Sequence, residues 1–256
     1  MTRLSRAETQ ERTHAQLLAA GRAVFLRRGF LAATVDEIAA AAGYTRGAVY
    51  KHFGGKEGLW QAILDATADA HLAALTAAFQ AARSRADLLA ALDPARFARR
   101  AETAITAPRA EEAKEGQEEE ARGPARGQGA PGPAGEAGVA GAAGGGEARP
   151  APGLVDGAEV ARWAVVGAEY LAAVAGQPEH AARLVALQHR LDAALARLLA
   201  EHCPRLGVRT ALPIPELVVA LGAFGGGLAL LAAADPALDA GAVADSLLPV
   251  LLLEAS

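Results

Sequence analysis

Apolar residues along this chain recur three and four positions apart, the period of an amphipathic helix, and the runs they form are broken at glycine and proline. Val35, Ile38, Ala39 and Ala42 line one face of a short helix that Thr34 opens. Glu37, three residues after Thr34, completes a capping box, and Gly43 stands where a left-handed exit is cheap. Thr45 restarts the chain as a second N-cap. In the helix it opens, Ala48, Val49 and Phe53 point inward, Arg46, Gly47, Tyr50, Lys51 and His52 point outward, and Lys56 opens a third helix. Farther along, Val160, Trp163, Val166, Tyr170, Leu171 and Val174 form a stripe that ends at Gly176. Pro178 starts a helix bearing Leu184, Leu187, Leu191, Leu195 and Leu198, which Pro204 and Gly207 close. Two more helices are predicted at about 215–234 and 242–253, with a kink at Pro249.

The outward face of the second short helix is polar, basic and aromatic. A helix N-terminus offers free N–H groups and partial positive charge, and Tyr50, Lys51 and His52 can donate to phosphate oxygens. Gly47 costs about 1 kcal/mol against alanine in a helix. Either bulk is excluded there because backbone meets a partner, or the glycine is tolerated in a frayed first turn. Taken singly, Tyr50 reads as a core aromatic and His52 as a lone surface histidine; as a spaced set after a capped turn they read as a nucleic-acid contact.

The ordered set Thr34, Ile38, Ala39, Gly43, Gly47, Val49, Tyr50, His52, Phe53, Lys56, Glu57 and Leu59 resembles the N-terminal signature of the tetracycline-repressor (TetR) family of bacterial transcriptional regulators. Leu17, Leu18, Gly21, Val24, Phe25, Gly29 and Phe30 resemble that family's first helix and its exit, so the likeness covers about residues 10–65. It implies an all-α protein: a three-helix helix-turn-helix head at 1–60 and a helical ligand-binding and dimerisation domain at 61–256. It also implies that Thr45, Arg46 and Gly47 face bases or their sugars, while Thr34, Tyr50, His52 and Lys56 hold phosphates. Gly54-Gly55 departs from the family pattern, and a double glycine is expected to loosen the turn before Lys56.

Charge changes the picture only when it is divided by segment. The net charge of −4 looks wrong for a nucleic-acid binder, yet residues 1–58 hold nine Lys or Arg against five acids, leaving a basic head on an acidic remainder. Arg3 and Arg6 read as a minor-groove arm or as a frayed terminus. The single cysteine, Cys203, forms no internal disulfide, and the N-terminus has no apolar signal region, which fits a reducing bacterial cytoplasm.

From Ala107 to Gly157 there are thirteen glycines and six prolines in 51 residues, with the acidic run Glu118-Glu119-Glu120 near the start. Such a stretch buries too little apolar surface to offset its ordering entropy, so it reads as a disordered insertion in the second domain. The uncharged stretch from Leu217 to Ala234 reaches the minimum length for a membrane span, but its glycines and alanines and the flanking Glu216 and Asp235 argue against one. Its pattern predicts a core stripe of Leu217, Leu221, Phe224, Leu228 and Leu231. Beside it runs a small-residue strip, Val218, Gly222, Gly225, Ala229 and Ala232, that lets a partner helix approach closely.

The family resemblance implies that this helix and the last one form a homodimer, so that two heads read an inverted-repeat operator on double-stranded DNA, and that a small hydrophobic effector releases it. Trp163 and Tyr170, with His189 and Phe224 behind them, are the candidate effector residues, set against ordinary core packing. No phosphate-cradling motif and no metal-ligand spacing is present, so neither catalysis nor a cofactor is expected, and adjacent His202 and Cys203 read as buried or capping residues. A helical ligand-binding protein or enzyme with a vestigial head, and an adaptor using the insertion, are the alternatives.

Overall fold

Helices account for the architecture. The computed structural model describes residues 5–93 and 157–255, and among these are α1 (Arg6–Arg28), α2 (Val35–Ala41), α3 (Arg46–Phe53), α4 (Lys56–Ala81) and α5 (Arg85–Leu92). After the gap come α6 (Gly157–Val174), α7 (Pro178–Arg205), α8 (Ile214–Ala234) and α9 (Ala240–Leu251). The insertion expected at 107–157 lies outside the described residues up to Gly157, which opens α6. Arg3 is also outside them, whereas Arg6 is the first residue of α1 rather than part of an arm.

Three helices start as their sequences dictate. Ser5, Thr34 and Ser84 each accept from the backbone N–H of Glu8, Glu37 and Asp87, and each of those acids reaches back to the cap's own N–H. Those contacts hold the three carboxyl groups below their usual pKa.

The all-helical expectation misses one element. Val208–Thr210 (β1) and Leu252–Glu254 (β2) pair antiparallel, Val208 opposite Glu254 and Thr210 opposite Leu252, so the last helix ends at Leu251 and not at 253. Both segments are too short to show a period, and pairing between residues so far apart is invisible to a local pattern. Arg85 fixes this end by donating to the carbonyls of Leu252 (2.6 Å) and Pro249 (2.7 Å).

One buried cluster joins the first three helices to α4 and α6. Leu17, Phe25, Ile38, Val49, Leu59 and Trp60 belong to it together with Val166 and Tyr170. A second cluster, around Phe79, Leu88, Leu199 and Leu217, gathers α4, α5, α7 and α8. Cys203 and His202 are buried there; burial pushes the Cys203 thiol up, and the His202 ring sits edge-on to Phe79 (5.6 Å), its Nδ1 3.0 Å from the Leu198 carbonyl.

Helix α8 is the one described helix long and apolar enough to cross a membrane, with a mean hydropathy of 2.2. Its stripe divides differently from the expectation. Leu217 and Leu228 are buried, but Leu231 is 60% exposed. The small-residue strip is divided as well: Val218 is buried, Gly225, Ala229 and Ala232 are half-buried in a cleft against α6, and Gly222 is exposed. The exposed face is set one position along, at Val219, Ala223, Gly226, Gly227 and Leu230. Helix periodicity gives the spacing of a stripe; which stripe meets which neighbour depends on where α6 lies.

His71, midway along α4, carries a stability prediction. Burial pushes its pKa down to about 4, well under the ordinary 6.5. The unfolded chain therefore takes up a proton that the folded one refuses, and stability falls as pH drops from about 6.5 towards 4. Urea unfolding at pH 7.5 and pH 5 should differ by about 2 kcal/mol, and His71→Gln should reduce the difference. His14, pushed down by burial and by His52, adds to the loss in the same window, so a reduced slope is expected in the variant and an equal slope would assign the loss elsewhere.

Candidate nucleic-acid interface

Helix α3 is short, and its two ends are held by different means. Thr45 has the extended backbone of an N-cap, but its hydroxyl makes no capping bond, contrary to the expectation from sequence. It is exposed and its oxygen is available. Val49 is fully buried, which turns Thr45, Arg46, Gly47, Tyr50 and Lys51 to the outside. Arg46 is braced across this face. One guanidinium nitrogen is 3.2 Å from Asp36 Oδ2 on α2, another donates to the Tyr50 hydroxyl at 3.3 Å, and the group lies 5.4 Å from the centre of the Tyr50 ring.

Gly47 has open space around it. A Cβ there would meet only the Thr45 hydroxyl, at 3.7 Å, so nothing within the chain requires a glycine at this position. The reason for it must lie outside the chain or in tolerance of a weak first turn.

The C-terminal end is specified by glycines. Gly54 (φ 76°) closes α3 by donating its N–H to the Tyr50 carbonyl at 2.9 Å, and Gly55 (φ 141°) leads into α4. Side-chain-bearing residues rarely adopt either conformation, so the pair sets the turn instead of loosening it. Gly58 is a residue the sequence reading missed. A Cβ on it would stand 1.9 Å from the Phe53 carbonyl oxygen, so α4 touches the end of α3 backbone to backbone. The sequence signal was only a third glycine within five residues.

Two expected phosphate ligands are placed apart from this face. The Lys56 ammonium donates to the carbonyls of Phe30 (3.0 Å) and Ala33 (3.2 Å), is 3.5 Å from that of Leu31, and sits 4.6 Å from the Phe30 ring centre. It therefore ties the α1–α2 loop to α4. The same loop is held from the other side by Glu169 on α6, whose Oε2 accepts from the Leu31 N–H at 3.1 Å and crowds Gly29. His52 is half-buried, and its ring faces His14 of α1 (centroids 5.9 Å apart). Thr34 is exposed, with its hydroxyl engaged by Glu37 at 3.1 Å.

The four candidate effector residues do not converge. Trp163 stacks on Trp60 (5.2 Å), beneath the Arg22 guanidinium. Tyr170 is buried against Phe30 (5.0 Å) and accepts a hydrogen bond from Gln61 at 2.8 Å. His189 is exposed on α7, and Phe224 packs with the small cluster around Leu228 and Leu248. Aromatic side chains at helical spacing filled the core, as the packing alternative had it. A cleft of about 820 Å³ lies elsewhere, between the end of α1, α6 and α8, with Val165, Leu228 and Ala232 in its wall and Arg27, Arg28 and Arg162 at its edge.

Comparison with known proteins agrees with this geometry. The sequence profile described as "Bacterial regulatory proteins, tetR family" matches residues 17–63, the stretch from the core of α1 into α4. The HTH-type transcriptional regulator TtgR of Pseudomonas putida is 44% identical over 71 residues, 28% of this chain and 33% of that protein. The HTH-type transcriptional repressor BepR of Brucella suis is 48% identical over 62 residues, 24% of this chain and 29% of that one. The chain thus spans about a third of the length of the curated relatives it matches. Whole-chain likeness is structural. A TetR-family regulator from Rhodococcus sp. superposes with a TM-score of 0.56 at 16% identity, covering 93% of this chain and 95% of that one. Another, from Pectobacterium atrosepticum, gives 0.52 at 20% identity over 99% and 100%. The TetR-family profile thus lies on the helices that present Thr45–Lys51, and the all-helical fold continuing through α9 is similar to that of these regulators.

Proposed function

We propose that this protein is a homodimeric, effector-responsive transcriptional regulator of the cytoplasm that represses a promoter by occupying an inverted-repeat operator. The observation that carries the reading is the outward row Thr45, Arg46, Gly47, Tyr50 and Lys51 on a helix whose opposite side is anchored by buried Val49. Thr45, Arg46 and Gly47 would meet bases or sugars in the major groove, and Thr34, Tyr50 and Lys51 would meet phosphates, while His52, half-buried against His14, stands apart from that row. Lys56 acts through the loop it holds rather than on a phosphate.

One such helix buries too little surface for specific affinity, so a second copy is needed about one helical turn away, roughly 34 Å. The exposed apolar faces of α8 (Val219, Leu230, Leu231) and α9 (Val243, Leu247, Val250) support a twofold interface. The effector is assigned to the 820 Å³ cleft, whose volume suits a drug-sized molecule and whose wall includes the end of α1. A ligand there would favour one position of the head over another.

Band shifts on inverted repeats upstream of the protein's own and neighbouring genes test the regulator reading, and no preference for any of them would defeat it. Gly47→Ala sharpens the test. Alanine should add up to about 1 kcal/mol to stability, since the space is open, while lowering operator affinity at least tenfold if backbone approaches DNA there. Unchanged affinity would return Gly47 to the tolerated-glycine reading.

A further inference from the structure

A second cleft, of about 550 Å³, lies where the head meets α7. His14 of α1 and His52 of α3 line one side, Arg183 and Arg190 of α7 the other, and Gln61 of α4 is in its wall. Arg190 is paired with Asp69 (3.1 Å) and Asp65 (3.7 Å) on α4. Arg183 has no carboxylate partner among the described residues; it is fixed instead by donating to the neutral Gln61 Oε1 at 2.6 Å. Gln61 is itself buried, and its amide nitrogen is 2.8 Å from the Tyr170 hydroxyl and 2.9 Å from His180 Nδ1. Arg183 is exposed at the cleft, and its bond to a buried amide orients the guanidinium, whose remaining N–H donors can bind an oxyanion on two oxygens. The same cleft is lined by two imidazoles, to each of which protonation adds a donor.

We propose that this cleft binds a small oxyanion, a carboxylate- or phosphate-bearing metabolite, between Arg183 on α7 and the His14–His52 pair of the head. Occupancy would bridge α1, α3 and α7 at the Gln61 hub and so fix how the recognition helix is carried. Protonation and binding are linked. Burial and the neighbouring His52 now push the His14 pKa down, and an anion between the rings and Arg183 favours the charged ring. Affinity therefore rises as pH falls through the histidine range. Asp65 and Asp69 oppose the anion from α4, and Arg190 offsets only one of their two charges, so binding relies on Arg183 together with a protonated ring.

The test uses the full chain without DNA, so its failure and the failure of the regulator reading are separable. Citrate and inorganic phosphate are titrated against sodium chloride at equal ionic strength, at pH 6 and pH 7.5, following the melting temperature and the His14 and His52 ring resonances. The expected result is saturable binding at least fivefold tighter at pH 6, with both rings perturbed. Citrate alone would identify a carboxylate ligand, phosphate alone a phosphate ester. Arg183→Gln should weaken binding at least tenfold; because it also touches Gln61, the His14→Gln/His52→Gln double variant gives the independent arm and should abolish the pH dependence. Rings that do not move, a response equalled by chloride, or the same pH dependence in the double variant would overturn the proposal.

Discussion

Gly58→Ala is expected to disable this protein more thoroughly than any change on the outward face of α3. A methyl group placed 1.9 Å from the Phe53 carbonyl oxygen meets backbone, which has no rotamer to escape into, so α3 and α4 must separate by more than an ångström. Overpacking of that kind costs about 3 kcal/mol. The displaced element is α3, the proposed recognition helix, and a shift of this size at the end of an eight-residue helix would move Tyr50 and Lys51 relative to any groove. Urea unfolding and operator band shifts should both register the change, with affinity down at least a hundredfold. Gly47→Ala makes the internal comparison, since it adds the same methyl group into open space. Wild-type stability in Gly58→Ala would mean that the close approach is relieved without cost and that the α3–α4 contact does not set the helix.

Lys56→Met should cost about 2 kcal/mol of stability and leave the salt dependence of DNA binding nearly unchanged. Methionine keeps most of the aliphatic stem but removes the cation, orphaning the carbonyls of Phe30 and Ala33 to which it donates in a part-buried site. Lysine at the first position of a helix faces the positive end of the helix dipole, so the residue needs a compensating partner, and the three loop carbonyls supply it. A phosphate ligand behaves in the opposite way. Its loss lowers the slope of log affinity against log salt by about 1 and spares the fold. A stable variant with a reduced slope would restore Lys56 to the DNA.

How far the interface was legible follows from the range of each interaction. Thr34 and Glu37 act within a turn of one another and Gly43 on its own backbone, and the capping box and the positive φ of Gly43 stand where a reading of neighbours puts them. Val49 inward and Arg46, Tyr50 and Lys51 outward follow from helical period alone. The roles of Lys56, Gly58 and Glu169 were not legible, because each acts on backbone atoms five or more residues away: the Phe53 oxygen, the 30–33 carbonyls and the Leu31 N–H. Trp163 and Tyr170 stood between pocket and core packing for a related reason. Sequence places them on one face of α6, but only the position of Trp60 and Phe30 decides that this face meets core instead of a cavity.

Sequence by itself determined where α2 and α3 begin and end, that the protein is helical, and which side of α3 is polar, since caps, glycine turns and amphipathic period are local properties of consecutive residues. Tertiary structure alone decided the β1–β2 pairing, the rotation of α8 that sets Gly225, Ala229 and Ala232 in a cleft against α6, and the two-sided grip of Lys56 and Glu169 on the α1–α2 loop. Each of those joins segments far apart in the chain, and the distances that select one partner over another exist only after the core has closed.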